Sequence, residues 1–215
     1  MNIRLSLAAL ALAAIALVAT AALGLSPVDG RAAAASSELE IGSQAPKSDV
    51  TMRDISGKEM TLASLKGKKG LLVVFSCNTC PYVIKWEDRY ASIAQKCADM
   101  GVGMVAVNSN TAQHDGVDSF DAMVSHAKEK KYAFPYVMDA TGEVAAAFGA
   151  NRTPHIYLFD AGMKLVYRGA IDDNYESASD VEKTYLSDAL DALVAGQEIA
   201  VKTTKSIGCS IKVKK

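Results

Sequence analysis

Apolar positions along this chain fall into two periods. Gly70-Leu71-Leu72-Val73-Val74-Phe75 is an unbroken apolar run, which predicts a strand covered on both faces. Directly after it, Val83, Trp86, Tyr90, Ile93 and Cys97 recur at helical spacing and predict a helix from Cys80 to Met100 with one buried stripe, closed by Gly101. Val102 to Val107 reads as the next buried strand, ending in Asn108-Ser109-Asn110. Residues 111–117 form a polar loop. Phe120, Met123, Val124 and Ala127 mark a second amphipathic helix, and Lys128, Lys130 and Lys131 suit its negative end. Phe134 to Met138 is a short extended piece, and Glu143 to Phe148 a brief helix stopped by Gly149. Ile156 to Phe159 and Lys164 to Arg168 form a hairpin about Asp160-Ala161-Gly162-Met163. Ser179 and Glu182 have capping-box spacing before a helix with Tyr185, Leu186, Leu190 and Leu193 on its inner face. Ahead of the central strand, residues 50–53 and 59–62 flank Asp54-Ile55-Ser56-Gly57 as a hairpin, and Leu62 to Leu65 is a single helical turn. This alternation predicts an α/β fold: a central mixed β-sheet flanked by helices on both faces, with an N-terminal β-hairpin extension.

The first 36 residues stand outside that pattern. Arg4 precedes a charge-free Ala/Leu-rich run, Leu5 to Leu25, broken by Pro27, Gly30 and Arg31. Two readings fit: a signal peptide or an N-terminal membrane anchor. The small residues Ala32 to Ala35 favour cleavage before Ser36. Both readings export the rest of the chain, to a periplasmic or other extracytoplasmic location. The chain divides into this segment (1–36), a domain (37–198) and a basic C-terminal tail (199–215). Net charge is −1, which provides no electrostatic case for nucleic acid.

The chemistry is concentrated in Cys77-Asn78-Thr79-Cys80-Pro81, where the central strand turns into a helix. Unpaired N–H groups and the positive dipole end there stabilise a thiolate. Thiols at this spacing share one face of the turn and can form a disulfide, so the pattern predicts a dithiol that cycles with a disulfide. Cys77, nearer the open helix end, is expected to attack, and Cys80 to resolve. Asn78-Thr79 brings no charge to the pair, so a reducing couple is expected. The reading calls for no cofactor. A passive disulfide or half a zinc site is the alternative use of such a motif.

With Gly42-Ser43-Gln44-Ala45-Pro46, Leu65-Lys66-Gly67-Lys68, Val73-Val74-Phe75, the Cys-x-x-Cys-Pro run and Thr153-Pro154, the chain resembles the thioredoxin-like superfamily. Within it the chain is most similar to the redoxin branch of alkyl hydroperoxide reductase/thiol-specific antioxidant-like proteins and exported thiol–disulfide oxidoreductases. The resemblance spans Ile41 to Gly196. It implies a thioredoxin-like fold, catalytic Cys77 and Cys80, a cis Pro154 beside them, and Thr153 offering backbone groups to an extended substrate. It also implies protein disulfide or dithiol substrates and an upstream redox partner. Peroxidases of the branch carry Pro-x-x-x-Thr/Ser-x-x-Cys. Counting back from Cys80 gives Val73 and Cys77, and from Cys77 gives Gly70 and Val74, so a peroxidase is only the alternative.

Other candidates are read against blander roles. His155 beside Pro154 would complete a copper(I) set with Cys77 and Cys80, the second alternative, while a plain strand histidine is the simpler reading. Cys97 falls on the buried stripe and reads as core. Glu87, Asp88, Asp172 and Asp173 read as solvated, with Glu87 or Asp88 a proton acceptor for Cys80 otherwise. His114 and His126 read as loop and helix-surface residues, and Arg152 as a surface arginine. Cys209 follows no apolar period. Gly208 before it permits close approach to another surface. Cys209 is therefore expected at the surface or docked near the dithiol as an accessory thiol.

Overall fold

The structure, a computed structural model, describes residues 37–214. The signal-peptide or anchor reading of 1–36 lies outside them. Among the described residues no helix is long and apolar enough to cross a membrane.

The hairpin pairs β1 (Met52–Asp54) with β2 (Glu59–Met60). Helix α1 (Leu62–Leu65) is capped by Thr61, whose side chain accepts from Ser64 N while Ser64 Oγ accepts from Thr61 N. Then come β3 (Gly70–Phe75), α2 (Pro81–Trp86), α3 (Tyr90–Met100), β4 (Val102–Asn108), α4 (Phe120–Glu129), β5 (Tyr136–Met138) and α5 (Glu143–Phe148). The chain ends with β6 (Arg152–Thr153), β7 (His155–Asp160), β8 (Leu165–Gly169), α6 (Tyr185–Ala195) and β9 (Cys209–Ser210). Seven strands form one mixed sheet in the order β2-β1-β5-β4-β3-β7-β8. β3 lies at its centre, parallel to β4 and antiparallel to β7.

Alternation along β3 divides the core between two faces. Leu72 and Val74 pack with Trp86, Tyr90, Cys97, Met123 and Leu186. Leu71, Val73 and Phe75 pack with Leu62, Val144, Phe148, Tyr157 and Phe159. Every β3 residue is buried, as its unbroken apolar run requires. Each fully buried Leu, Val or Phe contributes about 1.5–3 kcal/mol, so this strand is the main apolar anchor of both layers.

Two expectations about helices change. The stripe from Val83 to Cys97 holds, but a short 3₁₀ turn, Glu87–Arg89, separates α2 from α3. There Glu87 turns inward rather than facing water: it meets His126 Nε2 and the Tyr132 hydroxyl, and Lys130 Nζ lies 3.3 Å from its second carboxylate oxygen. His126 is accordingly a half-buried partner of Glu87, not a surface residue. The last helix begins at Tyr185 with no capping box at Ser179–Glu182. The Asp173 carboxylate instead accepts from the Glu182 and Lys183 amides and holds that stretch as a loop. Asp172 is likewise buried rather than solvated, accepting from Trp86 Nε1 at 2.9 Å and pairing with Arg89 Nε at 3.0 Å.

The segment after Gly196 is built into the same compact unit as the rest of the described chain. Thr204 Oγ1 accepts from the Ala170 amide, and β9 pairs antiparallel with β6 in a separate two-stranded ribbon.

Candidate active site

The turn from β3 to α2 carries Ser76, Cys77, Asn78 and Thr79, with Cys80 as the N-cap residue and Pro81 in the first turn. The loop is held by buried polar contacts. The Ser76 amide continues the β3–β4 ladder to Val107 O at 2.9 Å. Asn78 N donates to Asp118 Oδ1 at 2.8 Å, Asn78 Nδ2 donates to Val117 O, and Tyr136 OH donates to Asn78 Oδ1. Asp118 is fully buried and also accepts from Asn108 Nδ2 at 3.1 Å and Asn110 Nδ2 at 2.8 Å. Asn108 and Asn110 sit where β4 ends, so the polar residues closing that strand reach the dithiol loop through one carboxylate.

Across from the loop the Thr153–Pro154 bond is cis. Register pairs Phe75 with His155, which sets the start of β7 opposite the end of β3. Thr153 touches both sulfurs. Its hydroxyl lies 3.4 Å from Cys77 Sγ, and its carbonyl accepts from Cys80 Sγ at 3.0 Å. Cys77, Cys80, Thr153, Asp118 and Cys209 line one shallow pocket. The thiols are free.

The two sulfurs share one proton. Cys77 is pushed far up, first by donating its proton toward Cys80, then by burial, with the Asp118 charge adding to both. Cys80 is lowered to about 4, chiefly by that same donation from Cys77 and further by Cys209, the Val83 amide and Thr153, against burial. Cys80 is the N-cap residue of α2, and the Val83 amide in the first turn is the backbone group that acts on its sulfur. The Thr153 carbonyl, which accepts from the Cys80 thiol, and burial both work against that lowering. The main cause of the difference is the contact between the two sulfurs, since burial is nearly the same for both, at 2 % and 4 % exposure.

His155 does not join the thiols. It is buried against Tyr157, ring centroids 4.6 Å apart, and its Nε2 is 3.9 Å from Glu38 Oε1, beyond hydrogen-bond reach. Burial holds its pKa down to about 4. Among the described residues no three His, Cys, Asp or Glu side chains converge as metal ligands, so the copper alternative lacks its ligand set here. Cys97 is buried in the core beside α6 and away from the pocket, its thiol pushed up to about 12 by burial. Arg152 is exposed and reaches Gly208 O and Ser210 Oγ, both at 3.4 Å. Cys209 is docked: it pairs with Thr153 across the β6–β9 ribbon and packs against Cys77, Cys80 and Val83. Asp118 stands in no motif of the sequence that marks it as part of this site. The polar run Asn108-Ser109-Asn110 at the end of an apolar strand was a signal of buried polar work, but it does not say which carboxylate answers it.

The Redoxin family model matches residues 40–185. The thiol-disulfide oxidoreductase ResA of Bacillus thuringiensis subsp. konkukian is 26% identical over 129 residues, covering 60% of this chain and 69% of that protein. A solved structure of an uncharacterized conserved protein from Geobacillus kaustophilus superposes with a TM-score of 0.76 at 37% identity, over 81% of this chain and 93% of that one. The thioredoxin domain of a thiol-disulfide oxidoreductase from Bacteroides vulgatus superposes with a TM-score of 0.52 at 24% identity, over 62% of this chain and 90% of that one, a likeness of fold. With the mixed sheet, the dithiol at the β3–α2 turn and the cis proline facing it, this chain belongs to the Redoxin family and has its thioredoxin-like fold.

Proposed function

We propose that the protein is an extracytoplasmic thiol–disulfide oxidoreductase that cycles Cys77 and Cys80 between dithiol and disulfide. The observation that carries this reading is the contact of one residue, Thr153, with both sulfurs at a helix start, beside a cis proline. The similarity to ResA supports it, and the apolar leader ending in Ala32–Ala35 supports export. The substrates are protein disulfides or dithiols, with a separate redox partner closing the cycle.

An insulin-disulfide reduction assay, with dithiothreitol as electron source, tests the reading. Cys80→Ser is expected to lose turnover by at least about 100-fold, since no Cys77–Cys80 disulfide can then form. Activity retained in Cys80→Ser would refute it.

A further inference from the structure

Cys77 and Cys80 are 2 % and 4 % exposed, whereas Cys209 is only half-buried. Of the three thiols in the pocket, the one on the C-terminal strand is therefore the one that reaches solvent. Its placement is built. Gly208 passes so close to the loop that a Cβ there would meet Thr153 O at 2.2 Å. Beyond Cys209, Ile211 N donates to Asn151 O, Lys212 N to Asn110 Oδ1 and Lys214 N to Thr111 Oγ1. Before it, Thr204 is held by Tyr167, Arg168 and Ala170. The strand is thus fastened on both sides of the cysteine, over the dithiol, along the residues that precede Pro154.

We propose that Cys209 is a third redox thiol that carries the disulfide from the buried pair to the surface by exchange at Cys80. This rests on the dithiol reading above. In the oxidised protein the Cys209 sulfur attacks Cys80 Sγ. The Cys80–Cys209 bond forms, the Cys77–Cys80 bond breaks, and the electron pair leaves on Cys77, which takes up the proton that Cys209 gave up. No net oxidation occurs in that step. A partner dithiol then attacks Cys209 Sγ, and Cys80 leaves as a thiolate. The partner's second thiol attacks the partner sulfur of the mixed disulfide and releases Cys209, which is reprotonated. The partner ends as a disulfide, the protein gains two electrons as the reduced trio, and one proton goes to solvent. Cys80, lowered to about 4, is the good leaving group of the second step, and in the first step Cys77 departs as a thiol, taking the proton from Cys209 as the bond breaks. Cys209, pushed up to about 11 mainly by burial, attacks slowly until Cys77 is bridged and Cys80 carries no charge beside it.

Disulfide mapping by non-reducing digestion and mass spectrometry tests the relay. Wild-type protein oxidised with diamide is expected to carry Cys77–Cys80, and Cys77→Ser protein treated alike to carry Cys80–Cys209 as its main bridge. Adding Gly208→Ala to Cys77→Ser unseats the strand and is expected to lower that bridge at least about tenfold, with Cys209 open to alkylation. As a measurement independent of that variant's folding, Cys209→Ser is expected to slow reduction of the oxidised pair by thioredoxin at least about tenfold. A Cys77–Cys80 bridge in the wild type, with Cys209 fully alkylated in oxidised Cys77→Ser, would overturn the relay and leave the dithiol reading standing. Absence of the Cys77–Cys80 bridge from the wild type would overturn both.

Discussion

Asp118→Asn isolates the carboxylate that ties the dithiol loop to the end of β4. In the native protein Oδ1 accepts from the Asn78 amide and Asn108 Nδ2, and Oδ2 accepts from Asn110 Nδ2. The substitution keeps the shape but leaves one oxygen. With that oxygen toward Asn78 and Asn108, two bonds survive as neutral ones, each weakened by about 1 kcal/mol. The new NH₂ then faces Asn110 Nδ2, donor against donor, and that bond of about 1.5–3 kcal/mol is lost. Asn110 cannot simply turn over, because its Oδ1 accepts from Lys212 N and holds the C-terminal segment. The losses sum to about 3.5–5 kcal/mol, a large share of the 5–15 kcal/mol that separates typical native and unfolded states. For a chain of this size that lowers the melting temperature by roughly 10 °C. Urea unfolding at pH 7, followed by circular dichroism, measures the free energy, and a thermal scan measures the melting temperature. A change below about 1 kcal/mol would show that Asp118 does not clamp the loop.

The remaining predictions concern charge and pH. The ultraviolet thiolate absorbance of the reduced protein is expected to persist at pH 6 and to fade only near pH 4, where Cys80 titrates. A single transition near the ordinary thiol value of about 8.5 would refute the assignment. Glu87→Gln is expected to destabilise the fold at pH 7 by about 1.5–3 kcal/mol, by weakening the contacts to His126, Lys130 and Tyr132. Burial alone would raise the Glu87 carboxyl, but those partners outweigh it and hold it below the ordinary carboxylate value. A folded value below the unfolded one contributes stability that is fully present above the unfolded value and is lost as pH falls through the folded one. The gap between Glu87→Gln and the native protein is therefore expected to narrow in acid, and parallel unfolding midpoints at pH 7 and pH 3 would contradict it.

Local pattern determined much of this protein. The unbroken apolar run of β3, the helical stripe through Trp86 and Tyr90, the Gly101 stop and the hairpins all follow from periods of two and 3.6 and from turn chemistry, which neighbours in sequence decide. The dithiol was legible for the same reason, since spacing and a strand-to-helix turn are local. What sequence could not decide were contacts between distant positions. Glu87 and Asp172 look like surface carboxylates until His126, Trp86 and Arg89 are brought to them from other elements. Asp118 acquires its role only when β4 and the Cys77 loop meet over it. The acidities of Cys77 and Cys80 depend on the contact their sulfurs make in the folded loop and on two groups distant in sequence, Cys209 and Thr153. The tail showed no apolar period because a strap is held by backbone hydrogen bonds, and these leave almost no trace in side-chain pattern.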